Sequence, residues 1–92
     1  MRIMDGIHVI VYGTPDCAFC KTEKQWLDSK GVKYDYVDIT DDDRLPRIVE
    51  RLSGGTAVPV TALWTIHEDK DNELKQVVKG FNRQALTEAL GL

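Results

Sequence analysis

Apolar and polar positions along the chain fall into seven segments of two periodicities. Ile7 to Tyr12 is a β-branched, nearly continuous apolar run halted by Gly13, Thr14, Pro15 and Asp16, the pattern of a strand covered on both faces and followed by a tight turn. Such a strand is expected at the centre of a sheet. Cys17 to Lys30 are good helix formers with Gly31 just past the end, and Phe19, Cys20, Trp26 and Leu27 fall within one broad face, so a helix is expected to pack there. Val32 to Ile39 mixes apolar and polar residues at period two, as a strand nearer the sheet edge does.

Further on, Leu45, Ile48, Val49 and Leu52 recur at helical spacing, with Pro46 tolerable in the first turn and Gly54-Gly55 closing the segment. Val58 to Ile66 predicts a third strand, with Pro59 at its start where a missing N–H does least harm, and Leu74 to Lys79 a fourth. The short polar stretch His67 to Glu73 joins them most simply as an antiparallel hairpin. Gly80 ends the hairpin, and Asn82 is placed to cap a final helix carrying Leu86, Ala89 and Leu90. The predicted order is β-α-β-α-β-β-α, an α/β chain with no internal repeat.

Composition limits what such a chain can do. Ninety-two residues, 42% hydrophobic and 29% charged, fit one domain spanning residues 1–92. A chain this size buries only a little over about 60% of the surface its unfolded form exposes, which leaves no room for a large enclosed cofactor cavity. Chemistry is expected at the surface. Twelve Lys+Arg against fifteen Asp+Glu give a net charge of −3, the wrong sign for gripping a phosphate backbone without a basic stripe, so nucleic acid is not an expected partner. Asp41-Asp42-Asp43 and Glu68-Asp69-Lys70-Asp71 lie between apolar segments and are expected as solvated loops. Met1 to Gly6 lacks the uninterrupted apolar stretch of a signal peptide. No segment approaches the roughly 20 apolar residues of a membrane span. The expectation is a cytoplasmic protein with no membrane partner.

The two cysteines, Cys17 and Cys20, are spaced C-x-x-C where the first turn feeds a helix, and three readings compete. A structural staple closing four residues constrains the unfolded chain by about 2 kcal/mol, against about 3 for a 15-residue loop. Half of a zinc site needs two more ligands, and outside the carboxylates only His8 and His67 are on offer, one inside the first strand and one beyond the third. A dithiol redox pair is the reading that C-x-x-C near a βαβ pattern favours. Residues i and i+3 of a helical turn lie within the Cα separation of about 4.4 to 6.8 Å that a disulfide requires. Cys17 at the helix start faces orphan N–H groups and the positive end of the helix dipole, which favour its thiolate. Asp16 opposes that ionisation and Lys21 assists it. Cys20, a turn in, is expected to be shielded. Cys17 then attacks a partner disulfide and Cys20 displaces the reduced product from the mixed disulfide. No metal or organic cofactor is expected.

The run Val11-Tyr12-Gly13-Thr14-Pro15-Asp16-Cys17-Ala18-Phe19-Cys20, Val58-Pro59 ahead of a strand, and Gly80-Phe81 ahead of the last helix together resemble the glutaredoxins of the thioredoxin superfamily over nearly the whole chain. The resemblance implies the thioredoxin/glutaredoxin fold, a four-stranded mixed sheet flanked by three helices. It also implies Cys17 as the exposed nucleophile and a cis Val58-Pro59 bond beside the cysteines, leaving the Val58 backbone to pair with a substrate strand. Thr14, Ala18, Phe19, Val58, Pro59, Gly80, Phe81 and Asn82 are the implied substrate-binding residues, Phe81 either as an apolar contact for a protein partner or as a cap on the core. Trp26 and Trp64 are expected in or beside the core.

Glutathione-using members typically carry a Lys three residues before the first cysteine, a Thr-Val-Pro triplet, and Gly-Gly followed by Ser or Cys and acidic residues. This chain has Thr14, Ala57-Val58-Pro59 and Lys79-Gly80-Phe81-Asn82-Arg83 there, departures that weaken the clamp on the tripeptide. Gly80-Phe81 is instead similar to the Gly-Phe of NrdH-type redoxins, which take electrons from thioredoxin reductase and deliver them to ribonucleotide reductase. The resemblance therefore implies a monomeric thiol-disulfide oxidoreductase for protein disulfides, with ribonucleotide reductase as a candidate client. A glutathione-dependent glutaredoxin is the alternative, because Lys79 and Arg83 are able to hold a carboxylate. A zinc-binding interaction module and a glutathione-bridged iron–sulfur carrier stand as different classes.

Overall fold

The structure, a computed structural model that describes residues 6–67 and 71–92, consists of β1 (Ile7–Gly13), α1 (Ala18–Ser29), β2 (Asp35–Asp38), α2 (Leu45–Ser53), β3 (Val60–Thr65), β4 (Glu73–Lys79) and α3 (Arg83–Leu90). The expectations for residues 1–5 and for the loop at 68–70 lie outside the described residues. Strand order in the sheet is β2-β1-β3-β4. Strand β1 runs parallel to β2 with Val11 opposite Tyr36, and antiparallel to β3 with Val11 opposite Thr61, while β3 and β4 form the expected antiparallel hairpin. The parallel pair needs a crossover, which α1 supplies. This is the mixed sheet with three helices that the resemblance implied.

The apolar run of β1 is explained by its central place, since each of its faces meets a core. On one face Val9 and Val11 pack with Leu27 of α1, Leu63, Val78, and Leu86 and Ala89 of α3. On the other, Tyr12 joins Ile39, Val60, Ala62 and Val49 of α2. Each fully buried aliphatic side chain there contributes about 1.5–3 kcal/mol of transfer free energy. β4 is one of the two edge strands, with Glu73, Leu74, Lys75 and Gln76 exposed. No helix among the described residues is long and apolar enough to cross a membrane.

Four expectations need correction. Strand β2 is four residues long, not the eight of Val32 to Ile39, because the chain is still closing α1 at its start: Gly31 N–H donates to Asp28 O at 3.1 Å and Val32 N–H to Leu27 O at 3.0 Å. The period-two alternation persists through this turn, and Val32 is buried and Tyr34 packed against the core without being in the sheet. Strand β3 begins at Val60, two residues after the expected start. Phe19 is not on the buried face of α1 but 66% exposed. It lies about 100° round the helix from Cys20, on the flank that also carries Trp26, and only Trp26 is covered, by Phe81. Ile48, at the margin of the α2 stripe, is exposed as well.

Candidate active site

Three segments meet at one end of the sheet because of strand direction alone. β1 ends at Gly13, β3 starts at Val60 opposite Tyr12, and β4 ends at Lys79 opposite Val60. The turn before α1, the Val58-Pro59 pair and residues 80–82 therefore emerge side by side. Gly80 N–H donates to Pro59 O at 2.8 Å, tying two of the segments together. Gly80 does so at φ +73°, a conformation that side-chain-bearing residues rarely adopt. The Val58-Pro59 bond is cis, as the resemblance implied.

Cys17 is the N-cap of α1 and leaves the extended region only after its own residue, with φ −81° and ψ 111°. Its Sγ accepts the backbone N–H of Cys20 at 3.0 Å, so sulfur does the work that a Ser or Asp oxygen does at most helix starts. No acidic residue lies in the first turn of α1 to oppose a negative charge there. Orphan N–H groups and the positive end of the helix dipole favour a negative charge at such a position, with Asp16 just ahead of it opposing. Cys17 is half-buried, Cys20 is 0% exposed, and the two are joined in a disulfide with Cα atoms 5.1 Å apart. The shielding expected of Cys20 is what the structure has.

Beneath the disulfide the floor is Gly13. A methyl group added there would lie 2.6 Å from Cys20 Sγ and closer still to the Tyr36 hydroxyl, so the absence of a side chain lets both approach β1. Tyr36 Oη donates to Thr14 O at 2.9 Å, fixing the turn that leads into Cys17. The Lys24 ammonium sits 4.1 Å from the centre of the Tyr36 ring, a cation–π contact. Burial, with the charges of Asp38 and Glu23 adding to it, raises the Tyr36 phenol above its ordinary value.

The residue that sequence reasoning missed is Glu23. It is 0% exposed, one turn beyond Cys20 on the stripe that continues to Leu27. Its Oε2 accepts the Thr61 hydroxyl of β3, and its Oε1 has no hydrogen-bond partner among the described residues. Burial pushes the carboxyl from 4.5 up to about 7, the Thr61 hydrogen bond pulling weakly the other way. The only available signal was position: C-x-x-C-x-x-E puts an acid on the buried face of the helix.

Other expected site residues are placed as follows. Thr14 is half-buried with its carbonyl engaged, Ala18 and Phe19 are exposed beside Cys17, and Val58 is half-buried next to buried Pro59. Phe81 packs edge-on against Trp26, ring centres 6.1 Å apart, and so serves the core. The Asn82 side chain accepts Ala85 N–H at 3.0 Å as the cap of α3. The two histidines are elsewhere: His8 faces Asp35 and His67 faces Glu73, each at 2.7 Å.

Comparison with known proteins agrees with this geometry. The glutaredoxin family model matches residues 9–63. An uncharacterized glutaredoxin-like 8.6 kDa protein in the rubredoxin operon of Clostridium pasteurianum is 36% identical over 50 residues, 54% of this chain and 67% of that protein. Matched stretches span about two thirds of the curated relatives' length or somewhat less. The structure of a glutaredoxin (grx-1) from Archaeoglobus fulgidus superposes with a TM-score of 0.70 at 25% identity, covering 98% of this chain and 95% of that one. The glutaredoxin-like NrdH-redoxin of Escherichia coli shares the fold, with a TM-score of 0.60 at 22% identity over 88% and 92% of the two chains.

Proposed function

This chain belongs to the glutaredoxin family, and from that premise we propose that it is a dithiol-disulfide oxidoreductase of the NrdH type, reducing protein disulfides through Cys17 and Cys20. The observation that carries the reading is the disulfide at the start of α1, with one sulfur capping the helix at the surface and the other fully buried. Once reduced, Cys17 as thiolate attacks a substrate disulfide, forming a Cys17–substrate bond and expelling one substrate thiolate. Cys20 then attacks Cys17 Sγ, the Cys17–Cys20 bond forms, and the second substrate thiolate leaves with its electron pair. Two electrons pass from the dithiol to the substrate.

The remaining segments supply a docking surface. Val58, just ahead of β3, offers backbone groups to an extended substrate, and Ala18, Phe19, Thr14 and Gly80 border the cysteines. Glutathione is the weaker candidate as reductant, because Thr14, Ala57 and the Gly80-Phe81-Asn82 segment replace the tripeptide clamp, and the Asn82 side chain is committed to capping α3. The test compares NADPH oxidation driven by thioredoxin reductase with that driven by glutathione and glutathione reductase. Faster turnover with thioredoxin reductase is expected, and faster turnover with glutathione would refute the NrdH-type assignment. In the same assay Cys17→Ser is expected to abolish turnover, and Cys20→Ser to trap a mixed disulfide.

A further inference from the structure

We propose that Glu23 receives the proton of the Cys20 thiol when that thiol releases the reduced product from a mixed disulfide on Cys17, acting through Cys20 and not on the substrate. The inference rests on the dithiol reading above and adds a proton path to it. Cys20 is fully buried, and a buried thiol resists ionisation. Yet it must become a thiolate to attack Cys17. Glu23 is three residues further on the same helix face, equally buried, and residues at that spacing have Cβ atoms about 5–6 Å apart. That is within reach of proton transfer directly or across one bridging water.

Both groups lie in the same layer between α1 and the sheet. Cys20 Sγ rests over Gly13 of β1, and Glu23 is held by Thr61 of β3, which pairs with Val11, two residues from Gly13 on the same face. Thr61 occupies one carboxyl oxygen and leaves Oε1 unpartnered. A buried oxygen with nothing to bind is unfavourable, and a thiol S–H is a donor that would use it. Among the described residues, the surroundings hold no cation that would fix Glu23 as a carboxylate. β1 and α3 bring Val9, Val11, Leu86 and Ala89 to this layer, β3 brings the neutral Thr61, and the β2 side brings the phenols of Tyr34 and Tyr36. Lys24, the nearby ammonium, sits over the Tyr36 ring. Glu23 is therefore able to exchange its proton near neutral pH, as its raised value indicates.

The step balances. Cys20 S–H gives its proton to the Glu23 carboxylate; the Cys20 sulfur forms a bond to Cys17 Sγ; the Cys17–substrate bond breaks and the substrate leaves as a thiolate. The resulting carboxylic acid returns its proton to solvent and the departing thiolate takes one up.

Reaction of the reduced protein with 5,5′-dithiobis(2-nitrobenzoate) separates the steps, because the first nitrothiobenzoate released reports attack by Cys17 and the second reports resolution by Cys20. Glu23→Gln is expected to leave the first phase unchanged and to slow the second by about tenfold or more around neutral pH, the gap closing at high pH where Cys20 ionises unaided. Identical pH profiles of the second phase in the two proteins would overturn the proposal and leave the dithiol reading intact. Wild-type protein that releases no second thiol would sink that reading and the proposal with it. Should Glu23→Gln not fold, carboxyl ¹³C titration of Glu23 in wild-type protein decides the same question. Its midpoint is expected to move by about half a pH unit or more between disulfide and dithiol forms, as coupled sites do, and an unmoved midpoint overturns the proposal.

Discussion

Because burial raises the Glu23 carboxyl from 4.5 to about 7 while the unfolded chain keeps the ordinary value, the folded protein holds that proton more tightly over the interval between the two. Its contribution to stability is fully present below 4.5, declines as pH rises through that interval, and is gone above about 7. A displacement of that size corresponds to about 3 kcal/mol as an upper bound. Denaturant titrations of the oxidised protein at about pH 5 and pH 8 are expected to show wild type losing roughly 2–3 kcal/mol more than Glu23→Gln on going to the higher pH. Equal losses would mean that the carboxyl is hydrated in solution. At this scale the cysteines were legible and Glu23 was not, for one physical reason. C-x-x-C is a spacing within one helical turn and needs no partner to be recognised. Glu23 is buried against the sheet, where its hydrogen-bond partner Thr61 lies 38 residues away in sequence, and periodicity alone assigns a glutamate to solvent.

Each helix here is positioned by its ends, and two of the ends belong to the site. Cys17 starts α1 and Asn82 starts α3, both with a side chain accepting a backbone N–H three residues on. Asn82→Ala is expected to cost about 1 kcal/mol of stability, read as a lower denaturation midpoint at unchanged slope. An unchanged midpoint would show the cap to be replaceable by water. The seven elements were readable in order because every one of them carries its own period, apolar stripe or cap within its own sequence. Their limits were less so. β2 shrank because the turn closing α1 takes up residues 30–32, and β3 started late because pairing with β1 stops at Tyr12 opposite Val60. Such limits are set by neighbours in space.

Taken as a whole, the molecule places the proposed site at one end of the sheet, where strand direction brings together three segments that are distant in sequence. Strand order was legible only as far as β1 at the centre and β2 nearer an edge, since pairing between β1 and β3 spans some fifty residues and leaves no local periodic trace. Phe19 illustrates the same point: on its flank of α1 the distant Phe81 packs on Trp26, while Phe19 stays exposed. An exposed aromatic next to Cys17 is suited to meet a protein surface. Phe19→Ala is therefore expected to lower kcat/KM several-fold for a protein disulfide, with the rate toward a small aromatic disulfide little changed; equal effects on both would remove Phe19 from the docking surface. The edge strand β4 bears on a different matter. Its far side offers a row of unpaired backbone donors and acceptors that any extended chain could join, but Glu73, Lys75 and Lys79 stud it with charge, and Lys75 is further anchored by donating to Ala89 O at 2.9 Å. Ladder growth from copy to copy along this edge would have to desolvate those groups, which makes it a poor template for a second chain.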